Sequence, residues 1–366
     1  MLENMNLFGW HNSDEYDTII NKMIEEVTTV SDKYETVQYG KKKISKAGRI
    51  LADPHTNDDD FFAALEILNN WRAAHALPLD VVADRLAAIL PEALVARRLK
   101  RLDSIVMKLK RFPDMDLYRI QDLGGCRAIV KSVDDVYNAV DKVKSQITTH
   151  ELKREYDYLA NPKSSGYRSY HLVFQYNNEE EYKNMLIEMQ IRTELQHIWA
   201  TAIEVMGLYT KSSLKSSQGD EKILRFFALA SSIFAIEEGL PVVPGTPATY
   251  DELVAEMKGL DNELNIISKI SSLSMAINNA EVKHKGDDTG YYLLLLNYEE
   301  RRLRIYSFPK DGYLAAIKSY NELEKETGLD VVLVSAGSLE QVRMAYPNYF
   351  VDMQKFLEKV RLILEE

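Results

Sequence analysis

The hydrophobic period switches near residue 118, and that switch limits the folds open to this chain. Short β-branched or aromatic runs at 127–130, 171–174 and 186–191 read as strands, because strand side chains alternate faces with a period of two. Between the first two, residues 133–146 repeat apolar side chains at helical spacing, and 194–208 do so again after the last strand. Strand, helix and strand in that order predict one sheet with helices packed on it. Upstream, 15–35 and 60–111 carry a helical pattern, with Phe62, Leu65 and Leu68 and then Leu99, Leu102, Val106 and Leu109 along one face. The expected class is α+β, a mixed sheet flanked by helices.

Downstream, three prolines after Gly239 end the helical stretch 221–238, and 251–279 is helical again. Strands at 291–297 and 302–308 around a turn at Glu299-Glu300, a helix at 314–327, a strand at 331–335 and a helix at 352–364 then form a small, separate ββαβα unit. Two domains are expected, residues 1–275 and 276–366.

No apolar run approaches the roughly 18 to 20 residues of a membrane-spanning helix, so no membrane partner is expected. The first residues lack a basic segment ahead of a long apolar one, so the expectation is a cytoplasmic protein without a secretory leader. Lys and Arg number 45 against 56 Asp and Glu, a net charge of -11, which argues against a non-specific nucleic-acid coat. A polyanion must meet a local patch. Two exist: Lys41, Lys42, Lys43, Lys46 and Arg49 with no acid between them, and 97–111 with seven basic residues against Asp103. The single cysteine, Cys126, lies in an apolar run and reads as a small buried thiol without a catalytic role.

Four segments carry candidate chemistry. On the strand at 186–191 the period of two sets Glu188, Gln190 and Arg192 on one face, which suits a carboxylate held on a rigid element or an exposed face with a cross-strand ion pair. Gln121-Asp122-Leu-Gly-Gly-Cys-Arg127 places an acid and an arginine around two glycines, suited to Mg²⁺ and phosphate or to an ordinary turn. The loop 161–171 offers Lys163 and Arg168 to phosphates and Tyr167 as a stacking surface, and it is not a P-loop. Lys100, Ser104, Lys108 and Arg111 fall on one stripe of the expected 97–111 helix, with Arg98 near its start.

Together, Arg98-Leu-Lys100 with Ser104 and Lys108, DLGGCR at 122–127, NPKSSGYRSYH at 161–171 and IEMQIRT at 187–193 resemble the RelA/SpoT alarmone synthetase domain. The resemblance covers about 97–209 and implies a nucleotidyltransferase-like synthetase core that moves a pyrophosphoryl group from ATP to a ribose 3′ hydroxyl. It implies Asp122 as a Mg²⁺ ligand and Glu188 as a second acid that binds metal or activates the hydroxyl. It places Arg98, Lys100, Ser104, Lys108 and Arg127 at ATP, and Lys163, Tyr167 and His171 at the acceptor, with Arg192 in support. The His-Asp pattern of the family's hydrolase domain is absent from the N-terminal helices, so hydrolysis is not expected.

The ββαβα unit, the segment 61–79 and the pair Tyr346 and Tyr349 are similar to the fused toxin-antitoxin branch called CapRel. That resemblance implies a toxin that pyrophosphorylates the 3′ CCA end of tRNA, blocks translation and serves anti-phage defence. It implies a C-terminal pseudo-zinc-finger, consistent with His284 as the lone histidine after residue 275, whose Tyr346 and Tyr349 cover the adenine position. It also implies release by a phage structural protein, typically the major capsid protein. Two other readings stay open: an alarmone synthetase with GDP or GTP as acceptor, and a non-catalytic RNA-binding or phage-sensing module.

Overall fold

The computed structural model of the protein describes residues 34–100, 102–209, 220–271, 281–283, 289–297, 302–309, 312–323, 329–335 and 352–365. Tyr346, Tyr349, His284 and the expected turn at Glu299-Glu300 lie outside the described residues.

Among the described residues three helices come first, α1 (Lys41–Ala52), α2 (Asp58–Ala74) and α3 (Ala76–Ile89). The side chain of Asn57 accepts from the Asp60 N–H at 2.9 Å, and three aspartates occupy the first turn of α2, where they complement the positive end of the helix. Strand β1 (Leu94–Leu99), helix α4 (Leu102–Arg111), strand β2 (Gly124–Val130) and helix α5 (Val133–Gln146) follow. Helix α5 opens on a capping box between Ser132 and Asp135. Then come β3 (Glu151–Asp157), β4 (Tyr170–Gln175), β5 (Leu186–Thr193), α6 (Glu194–Tyr209), α7 (Glu221–Glu237) and α8 (Tyr250–Leu264). The C-terminal elements are β6 (Glu281–Lys283), β7 (Thr289–Asn297), β8 (Arg302–Pro309), α9 (Tyr313–Leu323), β9 (Leu329–Ser335) and α10 (Asp352–Glu365).

All nine of these strands form one mixed sheet in the order β3-β4-β5-β2-β1-β9-β7-β8-β6. Strands β2 and β5 run parallel, from Gly124 beside Ile187 to Val130 beside Thr193, and β4 pairs antiparallel with β5. The C-terminal hairpin joins through β9, where Ser335 pairs with Arg97 of β1.

Two expectations change here. Residues 94–99 are not the start of a helix: they form β1, paired along its length with β2 from Leu94 opposite Ile129 to Leu99 opposite Gly124. A continuous ladder to a central strand outweighs the weak local helix preference of the segment. The helix expected over 251–279 breaks at Asn265, whose φ of 52° is left-handed and ends α8. Strand β3 gave no apolar signal because it is a charged edge strand, Glu-Leu-Lys-Arg-Glu-Tyr-Asp, of the kind that discourages further pairing.

Among the described residues three apolar clusters make up the core. The largest packs α1 to α5 against the face of the sheet carrying Leu172, Phe174, Ile187, Met189 and Ile191. A second joins α6, α7, α8 and α10, with Phe356 of α10 stacked on Phe227 at 5.9 Å and edge-on to Phe234 at 6.0 Å. The third lies under α9 on β7 to β9.

Phe356→Ala is expected to destabilise the chain by about 3 to 5 kcal/mol, read from urea unfolding. A loss under 1 kcal/mol would contradict the packing of α10. His75, at the junction of α2 and α3, is fully buried and donates from Nδ1 to the Trp71 carbonyl at 2.7 Å. Burial pulls its pKa down to about 4, against a smaller opposing effect of that hydrogen bond. The unfolded imidazole titrates near ~6.5, so this stabilisation is complete above that pH and is lost as pH falls toward the folded value, by roughly 3 kcal/mol in total. His75→Gln should flatten the decline in unfolding free energy over that window, and an unchanged slope would assign it to other groups.

Candidate active site

The face of the sheet away from the largest cluster carries the polar row, as the period of two requires. Arg98 on β1 sits opposite Gly125 on β2, and Gly125 is beside Glu188 on β5. Arg127 on β2 lies between Ala96 of β1 and Gln190 of β5, and Gln190 faces His171 of β4. His171 in turn faces Tyr156 of β3. The two glycines divide their work. A Cβ at Gly124 would come within 2.9 Å of Ile187 Cδ1, so that position closes the sheet onto its helices, whereas Gly125 lines the open side.

Ala96, Arg98, Lys100, Asp122, Gly125, Cys126, Arg127, Glu188 and Gln190 line one shallow cleft of roughly 50 Å³. Within it Lys100 Nζ lies 2.8 Å from Asp122 Oδ2, and Lys108 Nζ lies 2.9 Å from Oδ1. Burial alone would raise the Asp122 pKa, but the two ammonium groups outweigh it and hold the carboxyl well below the usual range. Lys108 reaches this point because α4 turns its charged side toward Asp122 while Leu102, Ile105, Val106 and Leu109 enter the core. Ser104 lies one turn earlier on the same helix and does not line the cleft.

Glu188 is held differently. Its Oε1 is 3.1 Å from His171 Nδ1, and its Oε2 accepts from Gln190 Nε2 at 2.6 Å. Burial pushes its pKa up and Asp122 adds to this, yet His171 and Gln190 prevail and the carboxyl is lowered to about 2. Both acids are therefore ionised at neutral pH. On its far side His171 Nε2 meets the Tyr167 hydroxyl at 2.9 Å, so Tyr167, His171 and Glu188 form a continuous hydrogen-bonded chain.

The loop before β4 depends on Gly166, whose φ is 91° and where a Cβ would stand 2.8 Å from Ser231 and 2.9 Å from Trp199. Ser231 Oγ donates to the Gly166 carbonyl at 2.6 Å, and Arg168 is buried, donating to the Leu159 and Pro241 carbonyls. Arg168 is thus a brace for the loop and not a phosphate ligand. Tyr167 is only 4% exposed, with Lys163 Nζ 5.0 Å over one face and the rings of His171 and Tyr158 at its edges, so it presents no open face for stacking. Arg192 is 1% exposed and lies against His197, with Arg127, Arg98 and Tyr167 near enough to act on its charge. Cys126 is buried and its thiol pKa is pushed up to about 12 by burial, which suits an inert side chain.

Tyr156 and Tyr158 escaped notice in the sequence. Their rings stack 5.7 Å apart and nearly parallel, both half-buried, and Lys163 Nζ sits 4.5 Å over Tyr158. The aromatic side chains two residues apart in Tyr156-Asp-Tyr158 were the available signal, masked by the charged strand around them. Lys108→Met should raise the Asp122 pKa by about one to two units toward its ordinary value, read by carbon-detected NMR titration; an unmoved carboxyl would contradict the two-lysine clamp.

A family model described as a region found in RelA / SpoT proteins matches residues 97–213, which contain every residue of the cleft except Ala96. The GTP pyrophosphokinase YjbM of Bacillus subtilis (strain 168) is 36% identical over 115 residues, covering 30% of this chain and 54% of that one. The chain therefore spans about half the length of that relative. GTP pyrophosphokinase YwaC of the same organism is 30% identical over 166 residues, covering 40% of this chain and 77% of that one. The crystal structure of small alarmone synthetase 1 from Bacillus subtilis bound to its product pppGpp shares 25% identity over 46% of this chain and 93% of that one, with a TM-score of 0.40. With one relative covered over more than three quarters of its length at 30% identity, the chain belongs to the RelA/SpoT family.

Proposed function

We propose that the chain transfers a pyrophosphoryl group from ATP to a ribose hydroxyl, with AMP leaving, in the cleft between Asp122 and Glu188. The observation that carries this reading is the pairing of two ionised carboxylates with Arg98, Lys100 and Arg127 around one cleft, and with Lys108 at Asp122. Phosphoryl-type transfer needs positioning and charge neutralisation more than covalent chemistry. Arg98, Lys100, Lys108 and Arg127 bind the triphosphate, and Ser104, one turn before Lys108 on α4, is carried to ATP by the family resemblance alone. Glu188, ionised and oriented by His171 and Gln190, accepts the proton of the attacking hydroxyl.

Asp122 and Glu188 fit Mg²⁺. They are hard oxygen donors, and this ion is usually held by one or two carboxylates together with substrate phosphates and waters. When bound it would supply charge neutralisation on the transferring phosphates.

For the acceptor we carry the 3′ CCA end of tRNA, supported by the exposed Lys41, Lys42, Lys43, Lys46 and Arg49 of α1, a helix with no acid in its first turn. A GDP or GTP acceptor is the second reading, favoured by the names of YjbM and YwaC, each a GTP pyrophosphokinase. In the first reading residues 276–366 act as the inhibitory unit through Tyr346 and Tyr349, and a phage structural protein such as the major capsid protein releases them. Buried side chains of α10 complete the cluster around α7, so a truncation would expose that core, and a point substitution is the cleaner probe.

Purified Tyr349→Ala chain with γ-labelled ATP should label deacylated tRNA, and charge reversal at Lys42 and Lys43 in that background should reduce the labelling about tenfold. Labelling of GDP or GTP alone would decide for the second acceptor. Asp122→Asn and Glu188→Gln should each lower turnover by about 10² or more, and undiminished turnover would end the catalytic assignment. Tyr349→Ala should make expression toxic without a trigger; harmless expression of a folded variant would refute inhibition by the tyrosine pair.

A further inference from the structure

Lys100 is pinned at three points. Its Nζ holds Asp122 at 2.8 Å, its backbone N–H donates to the Leu123 carbonyl at 2.7 Å, and its own carbonyl accepts from Arg72 Nε at 2.5 Å. The third contact has no role in the chemistry above, and it comes from a residue of unusual surroundings. Arg72, on α2, is 1% exposed, and its NH1 has no hydrogen-bond partner among the described residues. Arginine does not lose its proton in proteins, so the charge is buried and must be stabilised where it stands.

That stabilisation comes from the C-terminal part of the chain. The guanidinium carbon of Arg72 lies 4.3 Å over the ring of Tyr320, on α9, and Tyr320 is itself 1% exposed. A cation over an aromatic face is held more strongly when both are shielded from water. The ring therefore orients the guanidinium plane, the guanidinium orients the Lys100 carbonyl, and the peptide at Lys100 sets the origin from which its side chain reaches Asp122. This path runs through α2 and is separate from the β1–β9 contact at Arg97 and Ser335.

We propose that Arg72, and Tyr320 acting through it, are positioning residues for Lys100, so that seating of α9 on α2 sets the affinity of the cleft for nucleotide phosphates. The inference rests on the assignment of Lys100 to the triphosphate. It requires of Tyr320 only a flat aromatic face, and of Arg72 both the planar cation and the Nε donor.

The test is titration of the full-length chain carrying Tyr349→Ala, which frees the adenine position from the proposed inhibitory pair, with Mg²⁺ and the α,β-methylene analogue of ATP, which binds without pyrophosphoryl transfer, alongside thermal unfolding of each further variant. Arg72→Met and Tyr320→Leu should each weaken analogue binding by about tenfold, while Tyr320→Phe keeps it within about twofold. In a Lys100→Met background neither substitution should weaken binding further, because the group they position is gone. Parent affinity in Arg72→Met or Tyr320→Leu, or an equal loss in the Lys100→Met background, would overturn the proposal and reduce both residues to packing. If Arg72→Met does not fold, the Tyr320 pair decides by the same criteria. Failure of the Tyr349→Ala parent to bind the analogue would instead remove the phosphate reading on which this one stands.

Discussion

The cleft is organised by a carboxylate held between two cations from different elements. Lys100 follows β1, Lys108 sits on α4, and Asp122 precedes β2, so the ion triad closes a strand-helix-strand unit on itself. Three charges brought together in partial burial are costly unless each is paired, which commits the β1–α4 connection to one geometry. The same arrangement keeps Asp122 ionised and keeps two lysines at the cleft proposed for the triphosphate.

Glu188 shows the complementary solution. It has hydrogen-bonding neighbours instead of two full ion pairs, and these are themselves tethered: His171 by Tyr167, and Tyr167 by a loop that Ser231 of α7 holds through Gly166. One carboxylate is thus placed by the first half of the sheet and the other by the helical cluster beyond it. Because α10 belongs to that cluster, the C-terminal elements are coupled to Glu188 by packing as well as to the sheet by β9.

Much of this arrangement was legible in the residues. The alternation in Ile187-Glu188-Met189-Gln190-Ile191 sorts side chains onto two faces, and the structure keeps that sorting: the apolar set enters the core and Glu188 and Gln190 line the cleft. Helix α5 was recognisable through both its apolar period and its Ser132 cap. Residues 94–99 misled because Leu99 continues the apolar period of α4, and nothing local signals that Arg97 and Arg98 belong to a strand. Tyr167 and Arg168 misled for a related reason. A loop rich in serine, glycine and cations reads as solvent-facing, yet α7 folds over it and buries both.

By itself the sequence determined the period of each segment, and with it which residues share a face; it also placed the chemistry-bearing types in DLGGCR and IEMQIRT. Those properties depend on backbone geometry, which is local. Only the tertiary structure decided that Lys100 and Lys108 meet on one carboxylate, that Arg192 and Tyr167 are enclosed, and that Arg72 stacks on Tyr320 across 248 positions of chain. Burial and charge pairing are sums over neighbours from distant segments, so no window of sequence contains them.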